Sequence, residues 1–396
     1  MKFEMSRRAL ALPLVFVTFA GACSEAPTVE PFADGEGLLE HGWERAEARA
    51  PREQLLGDEG AIGDRELGDE SLARRAAADR GWQTSDGRRY DALFVAGDGV
   101  AYGRFGDARD MAPPTDAGHG AFNPDAGKIW EQSLFTILGG TLDSDRRTRI
   151  SAVVTLESYP YRTVGALSGS GNTASGGCTG TMVGPRHVLT AAHCVMGPDG
   201  SISTSGWFNP GQTNTTITNG GNSRRWSGVM LRDWRAGRRF DYALLYLTDR
   251  AENAQLGWMG IAWWNSAASY ASRTAYNKAY PCGPNNSCGL VSSQQCKASP
   301  RSDDRCDGWM YADSATLLWS AATGDDRLEY DLDTSLGHSG SAIYTYLDGN
   351  PAVLAVHYGP NGGYNAGARF RTSMWNDVCT WIADVPSAFG THALCN

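Results

Sequence analysis

From Ile150 onward the sequence is built from short β-branched and aromatic runs, each cut off by Gly, Asn or Ser: residues 150–155, 187–190, 242–247, 342–346 and 352–357. Runs of four to eight such residues between turn formers suit strands and are too short to stand as helices. The expectation is an all-β barrel or sandwich. Near the end, Trp375, Val378 and Ile382 recur at helical spacing. A C-terminal helix packed on the barrel surface is therefore predicted. No internal repeat interrupts this pattern.

Cysteine usage places that β region in an oxidising compartment. Of nine Cys, Cys23 stands apart, and the other eight (Cys178, Cys194, Cys282, Cys288, Cys296, Cys306, Cys379 and Cys395) form an even set confined to the last 219 positions. Four disulfides would use them all. A zinc site in the cluster Cys282 to Cys306 is the rival, but gaps of five, seven and nine residues lack the close pairs that metal knuckles use. Neighbour logic pairs Cys178 with Cys194 and Cys379 with Cys395, and leaves the central four open.

The beginning of the chain agrees with export. Lys2, Arg7 and Arg8 precede an apolar run from Ala9 to Phe19, followed by Ala20-Gly21-Ala22, the layout of a signal peptide over residues 1–22. Cleavage after Ala22 would expose Cys23, a candidate lipidation site as in bacterial lipoproteins, although Ala20 stands where Leu is usual there. Arg7-Arg8 admits a twin-arginine reading, but arginines are ordinary in such a region. No later stretch has the length of a transmembrane helix.

Between the leader and the β region lies an acidic segment. Residues 24–110 hold 20 Asp plus Glu against 11 Arg and no Lys, which accounts for the whole formal charge of -9. A charge of that sign argues against a nucleic-acid partner, whose phosphates need a basic face. Short helical-looking pieces occur near 44–56 and 66–78. The segment reads either as a disordered linker or as a pro-segment that masks the β region or helps it to fold.

Three separated motifs carry chemistry. His193 ends an apolar run, Val188-Leu189-Thr190-Ala191-Ala192-His193-Cys194, and a Cys178–Cys194 disulfide would hold its loop where a general base must be held. Forty-eight positions on, Asp241 opens the run Tyr242-Ala243-Leu244-Leu245-Tyr246-Leu247. A carboxylate entering a buried strand needs a partner. Ninety-eight positions further, Gly337-His338-Ser339-Gly340-Ser341 precedes a strand. A serine hydroxyl is a poor nucleophile unless a base takes its proton and donors meet the oxyanion. The N–H groups of Gly337 and Ser339 are the candidate donors. An α/β-hydrolase elbow is disfavoured, because position 341 is Ser and only 18 residues separate Ser339 from His357.

Those residues resemble the chymotrypsin-fold serine proteases, and in particular their bacterial glutamyl endopeptidase branch. The likeness runs from about Thr141 to Trp381. It includes Asp143-Ser144-Asp145-Arg146 with Tyr159-Pro160-Tyr161-Arg162, Cys178-Thr179-Gly180, Phe240-Asp241-Tyr242-Ala243 and Tyr330-Asp331-Leu332-Asp333-Thr334. The resemblance implies two six-stranded antiparallel β-barrels over residues 141–396, preceded by a pro-segment over 23–140. It implies a triad of His193, Asp241 and Ser339, whose division of labour follows the well-known template. It also implies an acid-binding pocket lined by Thr334 and His357.

In the family the pocket can be completed by the new amino terminus, so cleavage is expected between about Thr136 and Asp145. Two departures stand out: Leu336 replaces a Gly, and His338, expected to face solvent, replaces a short amide or acid. Residues 282–307 are an insertion relative to shorter members. The expected partners are protein or peptide substrates of an exported monomer, tethered to a membrane through Cys23 before maturation if that residue is lipidated. No cofactor and no metal is expected. Broader specificity in the same fold, or a catalytically silent binding protein, are the alternatives.

Overall fold

The computed structural model describes residues 43–46, 90–96, 100–105, 118–119, 146–150, 152–168, 177–197, 200–213, 216–217, 223–248, 255–264, 266–281, 308–317, 327–334, 337–361 and 364–384. The leader, Cys23, the cluster Cys282 to Cys306 and Cys395 lie outside them. Everything described belongs to one compact unit within residues 31–396.

Strands dominate, as their short apolar runs dictate. The first five are β1 (Glu44–Ala46), β2 (Ala92–Ala96), β3 (Ala101–Arg104), β4 (Gly118–His119) and β5 (Thr148–Ile150). Next come β6 (Val164–Ser168), β7 (Cys178–Gly184), β8 (His187–Thr190), β9 (Gly206–Pro210), the small hairpin β10 (Gln212–Thr213) and β11 (Thr216–Ile217), β12 (Arg224–Leu231) and β13 (Ala243–Leu247). The last seven are β14 (Gly260–Trp263), β15 (Thr274–Ala279), β16 (Met310–Thr316), β17 (Arg327–Tyr330), β18 (Ala342–Leu347), β19 (Asn350–Asn361) and β20 (Tyr364–Arg369). Two helices accompany them, α1 (Val153–Leu156) and α2 (Thr372–Asp384).

Six strands close a barrel in the order β12-β13-β8-β7-β6-β9, with β9 pairing back to β12. Every residue of β6, β7, β8 and β13 is buried, so this barrel is filled from all sides. The other half is a sheet in the order β17-β20-β19-β18-β15-β16-β5, with β14 added beside β19. The all-β class is as expected from the sequence. Closure into a barrel is complete for the first half, whereas among the described residues no pairing joins β17 to β16 or β5 in the second.

Two local expectations are corrected by the strand pairing. Residues 150–155 do not form one strand: β5 ends at Ile150, and α1 turns where Glu157 N–H donates to the Val153 carbonyl and Ser158 Oγ to that of Thr155. Val153 and Val154 stay exposed there, so no apolar face pulls them into a sheet. Glu44–Ala46 is a strand rather than the start of a helix, because β3 offers it a partner register, Arg45 opposite Tyr102. The rest of 44–56 and all of 66–78 lie outside the described residues.

Helix α2 is where the C-terminal helix was expected, and buries Trp375, Val378 and Ile382. A buried ion pair fixes it: Arg232, in the loop directly after β12, donates through Nε to Asp377 Oδ2 at 2.5 Å and through Nη2 to Oδ1 at 2.6 Å. Tyr242, next to Asp241, donates its hydroxyl to the same carboxylate. Because removing one partner strands a buried charge, Arg232→Met is expected to cost about 3–5 kcal/mol in urea unfolding. A loss below about 1 kcal/mol would mean that this pair does not hold the helix.

Candidate active site

The barrel register itself brings the first two motifs together. In the antiparallel pair β13–β8, Ala243 lies opposite Thr190. Stepping back from Ala243 to Asp241 therefore runs in the same direction as stepping on from Thr190 to His193. A single 3-10 turn over Ala192–Cys194 lifts His193 off the strand end. The Asp241 carboxylate then meets it twice: Oδ1 accepts the His193 backbone N–H at 3.0 Å, and Oδ2 faces His193 Nδ1 at 2.8 Å.

Asp241 is fully buried, and Arg238 Nη1 adds a third contact at 3.3 Å. Burial alone would push this carboxyl up. The His193 ring and its backbone amide, with the Arg238 guanidinium, outweigh that push and hold it below the ordinary carboxylate range. It is thus an anion aimed at one face of the imidazole, leaving Nε2 for other work. Trp234 meets the ring edge-on at 6.2 Å and itself lies under Arg238, 5.7 Å from the guanidinium carbon.

The serine loop hangs on the neighbouring strand. Thr179, in β7, donates its N–H to the Ser339 carbonyl at 2.8 Å and its hydroxyl to the Gly337 carbonyl at 2.8 Å. The next residue back is Cys178, joined to Cys194 with Cα atoms 6.0 Å apart. One strand end therefore carries both the serine loop and the staple on the histidine turn. Gly340 sits hard against this junction: a Cβ there would fall onto Thr190 Oγ1 and the Thr179 carbonyl, and within 2.9 Å of the Ala191 nitrogen. Its φ of +83° also suits glycine. Ser339 is half-buried, and Gly337 has a φ of +90°. Among the described residues, no acceptor takes the N–H of either.

The two pocket candidates differ in burial. Thr334 is half-buried at the end of the segment after β17. His357, in β19, is buried, with Nδ1 2.6 Å from the Tyr330 hydroxyl and its carbonyl accepting the Gly340 N–H at 2.8 Å. Burial pushes its pKa down to about 3, and a positive charge on the nearby His193 would add to this. His357 is therefore neutral at pH 7. Gly367 lies opposite His357, and a Cβ there would press on the Val356 carbonyl at 2.5 Å, so only glycine lets β20 approach so closely. Asn365 Nδ2 donates to the Leu332 carbonyl at 2.8 Å, steadying the approach to Thr334.

Contrary to expectation, His338 does not face solvent. It is 1 % exposed, its ring edge-on to that of His357 at 6.3 Å, with its carbonyl accepting the Ser341 N–H at 2.9 Å. Its ring packs beside that of His357 in β19, a partner that the local sequence does not reveal. Cys379 is buried in α2 and disulfide-bonded. The partner expected for it, Cys395, lies outside the described residues.

The segment before Thr334 has a second anchor. The Arg146 N–H donates to Asp333 Oδ2 at 2.6 Å, and its guanidinium approaches Asp313, Asp331 and Asp333. Asp313 accepts the Asp333 N–H at 2.7 Å, and burial pushes its own pKa up to about 6.

Comparison with known proteins agrees with this architecture. A family model for the trypsin-like peptidase domain matches residues 178–355, from the stapled cysteine through the serine loop into β19. The chain carries a trypsin-like peptidase domain. Two curated relatives align with it: an extracellular metalloprotease of Bacillus subtilis (strain 168), 29% identical over 248 residues, covering 61% of this chain and 69% of that one, and a glutamyl endopeptidase of Bacillus licheniformis, 28% identical over 260 residues, covering 63% and 70%. Among solved structures, a Glu endopeptidase in complex with MPD matches 60% of this chain and 96% of its own at 20% identity and a TM-score of 0.45. The resemblance drawn from the sequence, to chymotrypsin-fold serine proteases of the glutamyl endopeptidase type, is thus borne out. A peptidase domain of this class acts on peptide or protein substrates.

Three contributors to the peptidase domain's site escaped the sequence reading: Thr179, Arg238 and Tyr330. Arg238 carried a local signal, a cation three residues before a buried acid; the other two act across the fold and carried none. The tight approach at Gly340 makes Gly340→Ala destabilising by about 2–4 kcal/mol, and a change under about 0.5 kcal/mol in chemical denaturation would contradict it. For His357 the folded pKa lies below the unfolded value of about 6.5. The neutral ring thus stabilises the fold fully above that pH, and the contribution disappears as the pH falls toward about 3. His357→Gln should therefore flatten stability against pH across that window; parallel wild-type and variant curves would refute it.

Proposed function

We propose that the chain is an exported serine endopeptidase that cuts peptide bonds after Glu or Asp, made as a zymogen. The observation that carries the catalytic part is the double hydrogen bond from His193 to the buried anion of Asp241. It fixes the tautomer with the proton on Nδ1, so that Nε2 is the basic atom. In this reading Nε2 removes the Ser339 proton as Oγ attacks the carbonyl carbon, then returns it to the leaving amine, while Asp241 stabilises the cation formed in between. The Gly337 and Ser339 N–H groups receive the oxyanion. Water repeats the sequence to release the acyl group.

The acidic preference rests on His357 and Thr334. With Nδ1 accepting the Tyr330 hydroxyl proton, a neutral His357 carries its own proton on Nε2 and is a donor. A carboxylate side chain would find that donor and the Thr334 hydroxyl without meeting a full charge, which favours binding that can still be reversed. The glutamyl endopeptidase among the relatives supports this choice. The signal-like segment 1–22, candidate lipidation at Cys23 and the relative named extracellular support export, with a monomer released from its tether by the cut.

The metalloprotease name of one relative raises a second chemistry. Cys178, His193 and Cys194 lie within metal-ligating distance of one another. Both sulfurs are spent on their mutual bond, however, and His193 Nδ1 already faces Asp241. That donor set has no thiolate to offer a metal, and the hydrolysis needs none.

A fluorophosphonate probe should label the wild-type protein and not Ser339→Ala, and His193→Ala should lose at least about 10³-fold in kcat/KM. Folded wild type that stays unlabelled would defeat the catalytic reading in favour of a silent binding protein. In a peptide library, cleavage after Glu should exceed cleavage after Gln at least about tenfold, with Thr334→Val narrowing the gap through KM. Equal cleavage after Lys or Phe would leave a broad-specificity protease instead.

A further inference from the structure

The acidic segment ahead of the peptidase domain is woven into the sheet of that domain. Strand β12 gives its outer side to two partners in succession: Arg224 to Trp226 pair with β9, and Gly228 to Leu231 pair with β2, Met230 opposite Phe94. All five residues of β2 are buried, those of β3 alternate, and Glu44 and Arg45 of β1 are exposed. The solvent edge of this sheet is thus β1, three strands beyond the barrel wall.

Side chains agree with the ladder. Phe94 lies edge-on to Tyr246 of β13 at 6.0 Å, and Tyr246 donates its hydroxyl to the Trp381 carbonyl of α2 at 2.9 Å. Trp43 Nε1 donates to Asp384 Oδ2 at 2.9 Å, and Arg104 Nη1 lies 3.3 Å from the same oxygen, at the buried end of α2. Farther on, β4 pairs with β14 of the second sheet, His119 opposite Ala262. Removing the segment would bare four consecutive β12 residues as an apolar edge, empty the Phe94 site and leave the Asp384 carboxylate without an indole and a guanidinium. Each of these is unfavourable in water or in a core.

We propose that the segment carrying β1, β2 and β3 is a permanent subunit of the peptidase, held non-covalently to it after the chain is cut between Phe105 and Arg146. This rests on the reading of the chain as a zymogen only for the origin of the cut, not for the association. The consequence is that maturation frees a new amino terminus ahead of Arg146 without releasing the segment that extends the barrel sheet beyond β12.

The test uses the full chain with a recognition sequence for an added protease placed between residues 125 and 135, in wild-type and Ser339→Ala forms. After cutting, size exclusion in about 1 M salt, where exposed ion pairs are screened, and native mass measurement should find both pieces in one particle, parting only in denaturant. Arg104→Ala should speed exchange with a labelled amino-terminal piece at least about tenfold while leaving fluorophosphonate labelling of Ser339 unchanged. Separation of the pieces under native conditions, whether or not the larger one stays folded, would overturn the proposal. Loss of labelling while the pieces travel together would count against the catalytic reading alone.

Discussion

An ionised carboxylate in a fully buried position is the constraint around which this protein is arranged. Asp241 tolerates burial only because the backbone and ring of His193 and the guanidinium of Arg238 replace the water it has lost. That need fixes the turn at residues 192–194, the start of β13, and through Tyr242 the seat of α2, since Tyr242 and Arg232 share the Asp377 carboxylate. One buried charge thus sits behind another, with adjacent residues, Asp241 and Tyr242, reaching the two. The second makes the first rigid by denying the strand any freedom to slide.

The two halves of the fold meet at Thr179. Its amide and hydroxyl hold the carbonyls of Ser339 and Gly337, Thr190 Oγ1 donates to its carbonyl at 2.9 Å, and the Tyr280 N–H donates to its hydroxyl at 2.9 Å. A small β-branched residue serves here because its hydroxyl can accept one bond and donate another while its methyl stays in the core. The Cys178–Cys194 bond then closes a ring through β7, β8 and the histidine turn. Ser339 and His193 are thus held by one shared strand end, which damps relative motion of the two halves at that point.

Much of this was legible in the sequence, and the legible parts share a cause. Residues whose chemistry is rare in a core, such as Asp241 before an apolar run or a glycine-flanked Ser339, stand out locally, as does the His193-Cys194 pair with its upstream Cys178. The strands at 187–190, 243–247 and 342–347 were readable because buried sheet imposes continuous apolar runs. What failed was whatever depends on partners far away. The Val153-Val154 pair looked like strand, yet no neighbouring strand was there to take it. Glu44 looked helical, but β3 lay far downstream to capture Arg45 opposite Tyr102. His338 looked solvent-facing because polarity suggests the surface, whereas its ring packs beside His357 on another strand.

The buried imidazoles His338 and His357 give the site a character that its charged residues do not. His357 is kept neutral by burial, and a positive charge on His193 would add to this, so the protonation of the two rings is linked. As His193 becomes positive, protonation of His357 becomes harder still, and its Nδ1 stays available to the Tyr330 hydroxyl throughout. A lysine or arginine in that position would instead repel the imidazolium at the moment it develops. A polar but uncharged ring is therefore what the space beside His193 tolerates, and the Tyr330 hydroxyl on its Nδ1 fixes the orientation of that ring.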